Sequence, residues 1–398
     1  MIYEVTIKGA KKTKLSFLTS IISTKKGKVV DSLVLKEDVI RLKRLSSIAH
    51  AHFSVFYSHD NYYKVFIEVE ENYTLIPDIN IWTTTNLKTA YKLSITEFNF
   101  LGKNIEVGGY YQKNIFNSYG FTFKAPYLFS KKWGLAFYHQ NWISEEPLYF
   151  ETQVAHYKYQ NSSFEALGLF QINFKNSLRF GVNFFREQYN YLNGYTSVSV
   201  PQHIDTRKKL FKIVYSYNNL DYNYQYIKGF KNDFYAQYVS SKLVGQEDFV
   251  IAWNDFFYYR IMGEKGNWAS RVRFGLSTNN NSPFSPFSLD NNVNIRGVGI
   301  LVDRGTGTLV INTEYRHTLI DKSWFILQSN AFIDTGSWRN PGGKLNDFFQ
   351  PENIQFYTGV GLRFIHKKIF NAVFRIDYGY GLSKNASKGL VFGIGQYF

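Results

Sequence analysis

The residues whose types and spacing suggest chemistry lie in the last third of the chain. Asp334-Thr335-Gly336-Ser337 has the form of the active-site turn of an aspartic protease. That reaction needs two carboxylates that share one proton, and the sequence contains no second Asp-Thr-Gly or Asp-Ser-Gly turn. It also lacks a Gly-x-Ser-x-Gly nucleophile turn and a phosphate-binding Gly-Lys-Ser/Thr loop. We therefore do not expect an enzyme, and we predict no catalytic residues.

Asp334 can also take part in a different chemistry, ion pairing with an arginine. Arg296 lies within Asn294-Ile295-Arg296-Gly297-Val298-Gly299, in a loop at 278–307 that is rich in Asn, Ser, Pro and Gly. Glu314 is a further carboxylate between the two. A guanidinium fork fits carboxylates better than a lysine ammonium does. Inside a closed barrel, an ion pair between Arg296 and these carboxylates would hold the loop in place.

The histidines offer one possible pair of metal ligands. His50-x-His52 puts two imidazoles on the same face of a strand. No third ligand stands at a useful spacing, and the chain has no Cys to supply a thiolate. We predict neither a metal nor a cofactor.

The composition is that of a β-protein rich in aromatic side chains. The 398 residues include 31 Tyr, 37 Phe, and 46 Lys and Arg against 31 Asp and Glu. Mean hydropathy is −0.27, and the apolar runs fall short of the roughly 18 residues of a transmembrane helix. The formal charge of +15 suits anionic lipid headgroups or acidic partners. Without a recognition-helix or zinc pattern, we do not expect nucleic acid.

Residues 1–76 predict a small α+β domain, because the hydrophobic period changes between strand and helix spacing. The predicted elements, in the order β-α-α-β-β, are 3–8, 15–22, 36–45, 52–57 and 63–70. Met1 stands directly before the first strand pattern, without a basic and apolar leader. If the protein is exported, we expect this sequence to be the mature form with its signal removed.

Residues 77–398 predict a succession of short alternating strands. The sixteen predicted strand cores are 79–86, 90–100, 104–114, 117–126, 132–144, 158–173, 177–188, 209–218, 231–240, 248–260, 268–277, 308–318, 324–336, 354–365, 370–380 and 388–398. The stretch 146–158 is open to two interpretations, a loop or an extension of its neighbours. Closing the sheet removes its edges, and a bilayer requires such closure. We therefore predict a sixteen-stranded antiparallel transmembrane β-barrel.

Alternation within these strands separates apolar from polar residues. Phe374, Ile376 and Tyr378 share one face of their strand, while Arg375 and Asp377 share the other. This is the pattern of a barrel with a lipid-facing exterior and a polar lumen. The side chains predicted to be luminal on the strands 308–318 and 324–336 are Asn312, Glu314, Arg316, Gln328, Asn330 and Asp334.

Five motifs stand in an order that matches a known superfamily. They are Glu97-Phe98-Asn99-Phe100-Leu101-Gly102, Ile295-Arg296-Gly297, Glu314-Tyr315-Arg316, Phe332-x-Asp334-x-Gly336 and Gly359-Val360-Gly361-Leu362-Arg363. In them the chain resembles the BamA/TamA superfamily of outer-membrane assembly proteins. Val298 departs from the pattern, since the superfamily has an aromatic after Arg-Gly. The N-terminal motifs Val5-x-Ile7-x-Gly9 and Val65-x-Ile67-x-Val69-Glu70-Glu71 resemble those of a POTRA domain.

The resemblance implies two sets of site residues. The first, the loop lock, is an infolded loop 278–307 held by Arg296, Gly297, Glu314, Asp334 and Gly336. The second, the lateral seam, is the junction of the first and last barrel strands, at Ile79, Trp82, Gly393, Gly395 and Phe398. Glycine weakens strand pairing and permits a kink, although two glycines are also compatible with plain barrel curvature.

The resemblance also implies a function in the outer membrane of a Gram-negative bacterium, with the POTRA-like domain in the periplasm. The leading hypothesis is an assembly and insertion factor whose partners are lipids and unfolded outer-membrane protein clients. Accessory lipoproteins or complex subunits are further expected partners. The alternatives are a polypeptide-export pore or passive channel, and a non-catalytic scaffold subunit.

Overall fold

The computed structural model describes residues 1–58, 60–83, 89–150, 153–242, 247–279, 286–289, 294–298, 304–370, 372–383 and 386–398. Two units of secondary structure follow one another along the chain. The first is a small three-stranded sheet with two helices, and the second is a large antiparallel sheet.

The N-terminal unit has the predicted β-α-α-β-β order. Its elements are β1 (Ile2–Lys8), α1 (Leu15–Ile21), α2 (Ser32–Lys43), β2 (Ile48–Tyr57) and β3 (Tyr63–Glu71). Strand β3 is central, since it pairs in parallel with β1 and antiparallel with β2. Helix α2 begins earlier than predicted because the Asp31 side chain accepts hydrogen bonds from Leu33 N and Val34 N, at 2.8 and 3.4 Å.

Apolar packing between the helices and this sheet forms a core of its own. Leu18, Leu42, Val65 and Ile67 are all 0% exposed, and each comes from the apolar stripe or face that the sequence pattern predicts. In the described ranges, no helix is both long and apolar enough to cross a bilayer.

The large sheet contains seventeen of the described strands, arranged in a cyclic order. Its strands are β4 (Leu75–Thr83), β5 (Thr89–Phe100), β6 (Ile105–Lys113), β7 (Asn117–Ala125), β8 (Trp133–Phe150), β9 (Gln153–Gln171), β10 (Asn176–Gly194), β11 (His203–Asn218), β12 (Asp221–Asn223), β13 (Tyr226–Ser241), β14 (Phe249–Met262), β15 (Gly266–Ser277), β18 (Gly307–Asp321), β19 (Phe325–Arg339), β20 (Ile354–His366), β21 (Val373–Gly381) and β22 (Lys388–Ile394). The loop before β18 contains a two-residue pair, β16 (Phe287–Ser288) and β17 (Arg304–Gly305). Two short 3-10 helices, Leu345–Phe349 and Pro351–Asn353, precede β20.

The predicted fold class is confirmed: sixteen long antiparallel strands follow a small α+β unit. The additional strand β12 has three residues and pairs with the beginning of β13. The described residues of the stretch 146–158, which are 146–150 and 153–158, are strand, because β8 and β9 pair with each other through them. The division at residues 76 and 77 stays a prediction; the small sheet ends at Glu71, and β4 begins at Leu75.

The alternation of the late strands has the predicted sense. On β21, Phe374, Ile376 and Tyr378 are exposed on the outer surface, while Arg375 and Asp377 are buried in the interior. The six side chains predicted to be luminal on β18 and β19 are likewise at most 4% exposed. The sheet therefore has an apolar outer face and a charged interior.

Candidate functional site

Arg296 lies in the barrel interior and is 0% exposed. The loop that carries it folds inward from between β15 and β18, and its described part here is 294–298. Antiparallel pairing of β18 with β19 places Asn312 opposite Asp334 and Glu314 opposite Phe332. Two carboxylates thus stand side by side on neighbouring strands, beneath the loop.

Arg296 binds Asp334 through both its side chain and its backbone. Nε and Nη2 donate to the two carboxylate oxygens at 2.8 and 3.0 Å, and the backbone N–H of Arg296 donates to Oδ2 at 3.0 Å. Asn312 Nδ2 donates to the same carboxylate at 2.8 Å and also to the carbonyl of Asn294 at 2.8 Å. Because side chain and backbone are both bound, the described segment 294–298 is held against β18 and β19.

Glu314 joins three guanidinium groups. It accepts from Arg296 at 2.6 Å, from Arg316 at 2.5 Å and from Arg363 at 2.9 Å. Asp377 adds a third carboxylate, 3.7 Å from Arg296 and 3.1 Å from Arg375. Such buried charges are tolerable only when they are paired and hydrogen-bonded.

Two aromatic rings cover the Arg296 guanidinium. Its central carbon lies 3.6 Å from the ring centroid of Phe332 and 4.4 Å from that of Tyr397. Tyr397 also contacts the guanidinium of Arg375, at 4.8 Å. A desolvated cation over an aromatic face is attracted by about 2 kcal/mol, so Tyr397 links the end of the chain to the loop lock.

This contact requires a correction to the predicted last strand. Strand β22 ends at Ile394 rather than at Phe398, and Gly395 has φ +87, a left-handed conformation that favours glycine. The chain then turns into the interior. Phe398 lies there beside Arg271 and Arg316, whose guanidinium carbons are 5.9 and 5.8 Å from its ring, and it is not at the seam.

The glycines of the loop lock are required by close approach. Gly297 has φ +93, and a Cβ on it would meet the backbone of Gly379 at 2.8 Å. A Cβ on Gly336 would meet Ile295 Cδ1 at 2.8 Å. Both glycines therefore leave room for the infolded loop against the barrel wall.

Val298, the departure from the superfamily pattern, still packs against apolar side chains. It is 7% exposed, in a cluster whose other buried members are Leu289, Ile295, Val310, Trp338 and Tyr357. Trp338 on β19 and Tyr357 on β20 thus supply the aromatic packing that Val298 at the loop tip does not.

The remaining seam residues lie on β4 and β22. Ile79 is 63% exposed on the outer surface, and the backbone of Trp82 pairs with Ala90 of β5, while its side chain lies outside the described residues. Gly393 is opposite Arg375, and a Cβ on it would meet Arg375 Nη2 at 2.4 Å. This glycine therefore makes space for the arginine. The strand order makes β22 and β4 neighbours, although the described pairs include none across this junction.

The N-terminal unit is docked on the turns at one end of the barrel. Arg44 donates to the carbonyls of Phe174, Asn218 and Leu220 at 3.0–3.1 Å. These carbonyls belong to the turns that follow β9 and β11, so a single side chain ties two hairpins to α2. Lys43 adds an ion pair with Asp221.

A second docking contact involves the motif at 97–102. Ser46 N and Oγ donate to Asn104 Oδ1 at 3.0 and 2.8 Å, and Asn99 Nδ2 donates to Thr13 Oγ1 at 3.1 Å. Lys14 N donates to the Gly102 carbonyl at 3.0 Å. The β5–β6 turn thus contacts both the α1 side and the α2 side of the N-terminal unit.

Glu71, at the end of β3, holds the loop that contacts this turn. Its carboxylate accepts from Lys11 N at 2.9 Å, from Lys12 N at 3.0 Å and from Thr13 N at 2.7 Å. Burial alone raises the pKa of Glu71, but the backbone donors of Lys12, Thr13 and Lys11 outweigh it, and the net pKa is lowered.

The histidine pair does not form part of a metal cluster in the described residues, where no group of three potential ligands is found. His50 stacks on Tyr224 with centroids 5.2 Å apart, and His52 is 3.2 Å from Glu68. Both imidazoles thus have structural neighbours.

Sequence reasoning identified Arg296, Glu314 and Asp334, which the structure brings together, but missed other members of the network. Arg363 and Asp377 alternate correctly as luminal residues, yet nothing local indicates that they reach Glu314 and Arg296. Tyr397 carries no signal in the strand pattern, because it belongs to the segment that leaves the strand.

No protein-family model matches the sequence, and no curated protein sequence matches it. Solved structures do match. BamA from Haemophilus ducreyi lacking POTRA domains 1–3 has a TM-score of 0.56 at 15% identity, over 98% of this chain and 82% of that one. CdiB from Escherichia coli has a TM-score of 0.60 at 10% identity, over 98% and 75%. CdiB from Acinetobacter baumannii has a TM-score of 0.57 at 12% identity, over 98% and 72%. The chain therefore has the fold of a BamA/TamA-like barrel with a small α+β unit before it.

Proposed function

We propose that this protein is an outer-membrane assembly factor that inserts unfolded barrel proteins through a lateral seam between β22 and β4. The observations that carry the proposal are the short length of β22 and the path of the chain after it. Apart from the three-residue β12, the seven-residue β22 is the shortest described strand of the large sheet, and the chain after Ile394 turns into the interior. A strand of seven residues offers few ladder hydrogen bonds to β4, so we expect the barrel to open at this junction at low cost.

The infolded loop supports insertion at the seam over passive conduction through the lumen. Arg296 is fully buried and held by Asp334 and Glu314 in the centre of the barrel. A straight aqueous pore would require this network to be broken, whereas parting of β22 from β4 leaves its ion pairs intact. The loop lock thus keeps the interior closed while the seam opens.

The N-terminal unit offers a place for clients to bind. Strand β2, with ten residues, is at the edge of its sheet, and its described pairs are all with β3. An extended client segment can add to such an edge through main-chain hydrogen bonds. Docked on the barrel turns by Arg44, this edge lies beside the barrel mouth.

The apolar outer face supports a location in a bilayer. Exposed side chains on the outer surface of β21 and β22 include Phe374 at 51%, Leu390 at 58% and Phe392 at 67%, a density that soluble surfaces rarely show. The outer membrane of a Gram-negative bacterium, with the N-terminal unit in the periplasm, fits this surface. The partners are then lipids, unfolded clients and accessory lipoproteins or complex subunits, and no catalytic chemistry is assigned.

Depletion of the protein followed by proteomics of the outer membrane tests this function. Loss of many barrel proteins supports a general factor, and loss of one supports a dedicated factor. If no barrel protein declines, the proposal is refuted; a stoichiometric complex without a folding defect would then point to a scaffold, and loss of a secreted polypeptide to an export pore.

The seam can be tested with cysteines, since the chain has none of its own. Ile79→Cys combined with Leu390→Cys or Phe392→Cys places thiols on the outer faces of the two seam strands. Oxidation is expected to abolish client assembly in proteoliposomes, and reduction to restore it. The control pair Thr313→Cys and Ile333→Cys joins register partners of β18 and β19 and should leave assembly unchanged. Full activity with a cross-linked seam would contradict lateral opening.

A further inference from the structure

A basic cavity lies where the N-terminal unit meets the barrel turns. It has a volume of about 290 Å³ and lies between α1, α2 and the two turns that follow β7 and β9. The side chains that matter for its chemistry are Arg41, Arg44, Lys131, Lys132, Tyr127 and Phe174.

The positive charge of this cavity is largely uncompensated. Among the described residues, the only carboxylate within ion-pair distance of its four cations is Asp38, 3.4 Å from Arg41. Asp38 is itself engaged, because it accepts from Ser23 N and Thr24 N at 2.7–2.9 Å. Lys131 and Lys132 are exposed and have no ion pair in the described part of the chain. The cavity thus carries a surplus of about three positive charges.

Arg44, which binds both turns, has one hydrogen-bond donor that these contacts do not use. Arg44 uses its two terminal nitrogens on backbone carbonyls, but its buried Nε has no hydrogen-bond partner among the described residues. Its guanidinium carbon and that of Arg41 lie 4.6 and 5.3 Å from the ring of Phe174. Neutral carbonyls and an aromatic face orient the Arg44 guanidinium without neutralising it, which leaves its charge available to an anion.

Aromatic side chains on the adjacent outer wall mark the depth of the cavity relative to a bilayer. Trp133, the first residue of β8, packs against Phe170 in a tilted arrangement with ring centroids 4.2 Å apart, and its edge-to-face partner Phe180 has its centroid 6.5 Å away. Phe129, in the same turn as Lys131, is 67% exposed. Trp and other aromatics gather at the headgroup level of a membrane, which is also the level of the lipid phosphates.

We propose that this cavity binds a phosphate-bearing anion, and that the source is the headgroup of an anionic phospholipid in the adjoining leaflet. The lysines and arginines would bind the phosphate, while acyl chains would lie against Phe129 and Trp133. Lipid bound here would brace the docked N-terminal unit, since Arg44 contributes both to the cavity and to the docking contacts.

Calorimetric titration of the detergent-solubilised full-length protein tests the proposal. The probes are short-chain phosphatidylglycerol, short-chain phosphatidylcholine and inorganic phosphate. The variant Lys131→Gln/Lys132→Gln removes two cavity charges at exposed positions and should weaken phosphatidylglycerol binding roughly 25-fold. The control Lys265→Gln/Lys322→Gln makes the same charge change at two exposed lysines on other turns of the same end and should change affinity less than twofold.

The three probes distinguish a lipid headgroup from free phosphate as the bound anion. Phosphatidylglycerol binding at least tenfold tighter than inorganic phosphate supports the lipid, whereas equal affinities, both lost in the cavity variant, assign the cavity to free phosphate. Equal binding of phosphatidylcholine and phosphatidylglycerol would overturn the proposal. So would an unchanged affinity in the cavity variant. Neither result would bear on client assembly, which is measured separately.

Discussion

Replacing Arg296 with alanine removes the centre of the loop lock. Asp334 then loses the two hydrogen bonds from the guanidinium, at 2.8 and 3.0 Å, and keeps the backbone N–H of residue 296 as a donor. The side chain that still donates to Asp334 is that of Asn312, a neutral amide. Glu314 is less affected, because Arg316 and Arg363 still bind it.

The expected cost follows from the burial of these groups. Both Arg296 and Asp334 are 0% exposed, so the substitution leaves a carboxylate in the interior without its cation. Breaking such a pair from one side costs about 3–5 kcal/mol, which is roughly a hundredfold to several thousandfold in the unfolding equilibrium. Loss of the contacts with Phe332 and Tyr397 adds to this cost.

Two measurements detect the change. Urea unfolding in detergent micelles, followed by gel mobility, gives the loss in stability. Digestion with a protease of broad specificity reports whether loop 278–307 has become accessible, which the loss of the lock predicts.

An exposed ion pair in the same barrel provides the matched control. Arg186 on β10 binds Asp205 on β11, but its side chain is 49% exposed, so Arg186→Ala should cost no more than about 1 kcal/mol. If Arg296→Ala is equally mild and the loop stays protected, Arg296 does not hold the loop and the reasoning from burial fails.

Three further predictions concern neighbouring contacts. Tyr397→Ala should destabilise the barrel by about 2 kcal/mol and raise protease access to the C-terminal residues. Tyr397→Phe keeps the aromatic ring and should retain most of the stability. Equal unfolding midpoints for both variants would argue against a ring–guanidinium contact with Arg296. Gly297→Ala should cost about 1–3 kcal/mol, because a Cβ at φ +93 would meet the Gly379 backbone, and a wild-type urea midpoint would contradict this. The lowered pKa of Glu71 predicts that its contribution to docking is complete above its unfolded pKa of about 4.3. This contribution is lost as the pH falls through the lower folded value. Proteolysis of the N-terminal unit between pH 7 and pH 3 should show this pH dependence in wild type and not in Glu71→Gln.

Secondary structure was largely predictable from the sequence because its causes are local. The helical spacing of Leu15 to Ile22 and the alternation on β21 are read from neighbouring residues, and both elements form as expected. The stretch 146–158 was ambiguous because its strands extend the barrel wall beyond the usual length, to 18 and 19 residues in β8 and β9. Their pairing with each other, not their local pattern, makes them strand.

The loop lock was predictable in part. Arg296, Glu314 and Asp334 follow from motif order and from strand parity, which fixes which side chains face the lumen. Arg363 and Asp377 lie on β20 and β21, two and three strands from β18, and they meet Glu314 and Arg296 because the curved wall directs these side chains into the same part of the interior.

The sequence by itself determined a small α+β unit, a series of alternating strands and the polarity of their two faces, because periodicity expresses burial directly. Only the tertiary structure decided where the chain's end lies. Gly395 permits a left-handed turn. The direction of the chain after it is decided by the interior, where Tyr397 packs against the guanidinium groups of Arg296 and Arg375. The same holds for the cavity beneath α2, whose cations come from segments that are distant in sequence and adjacent only after docking.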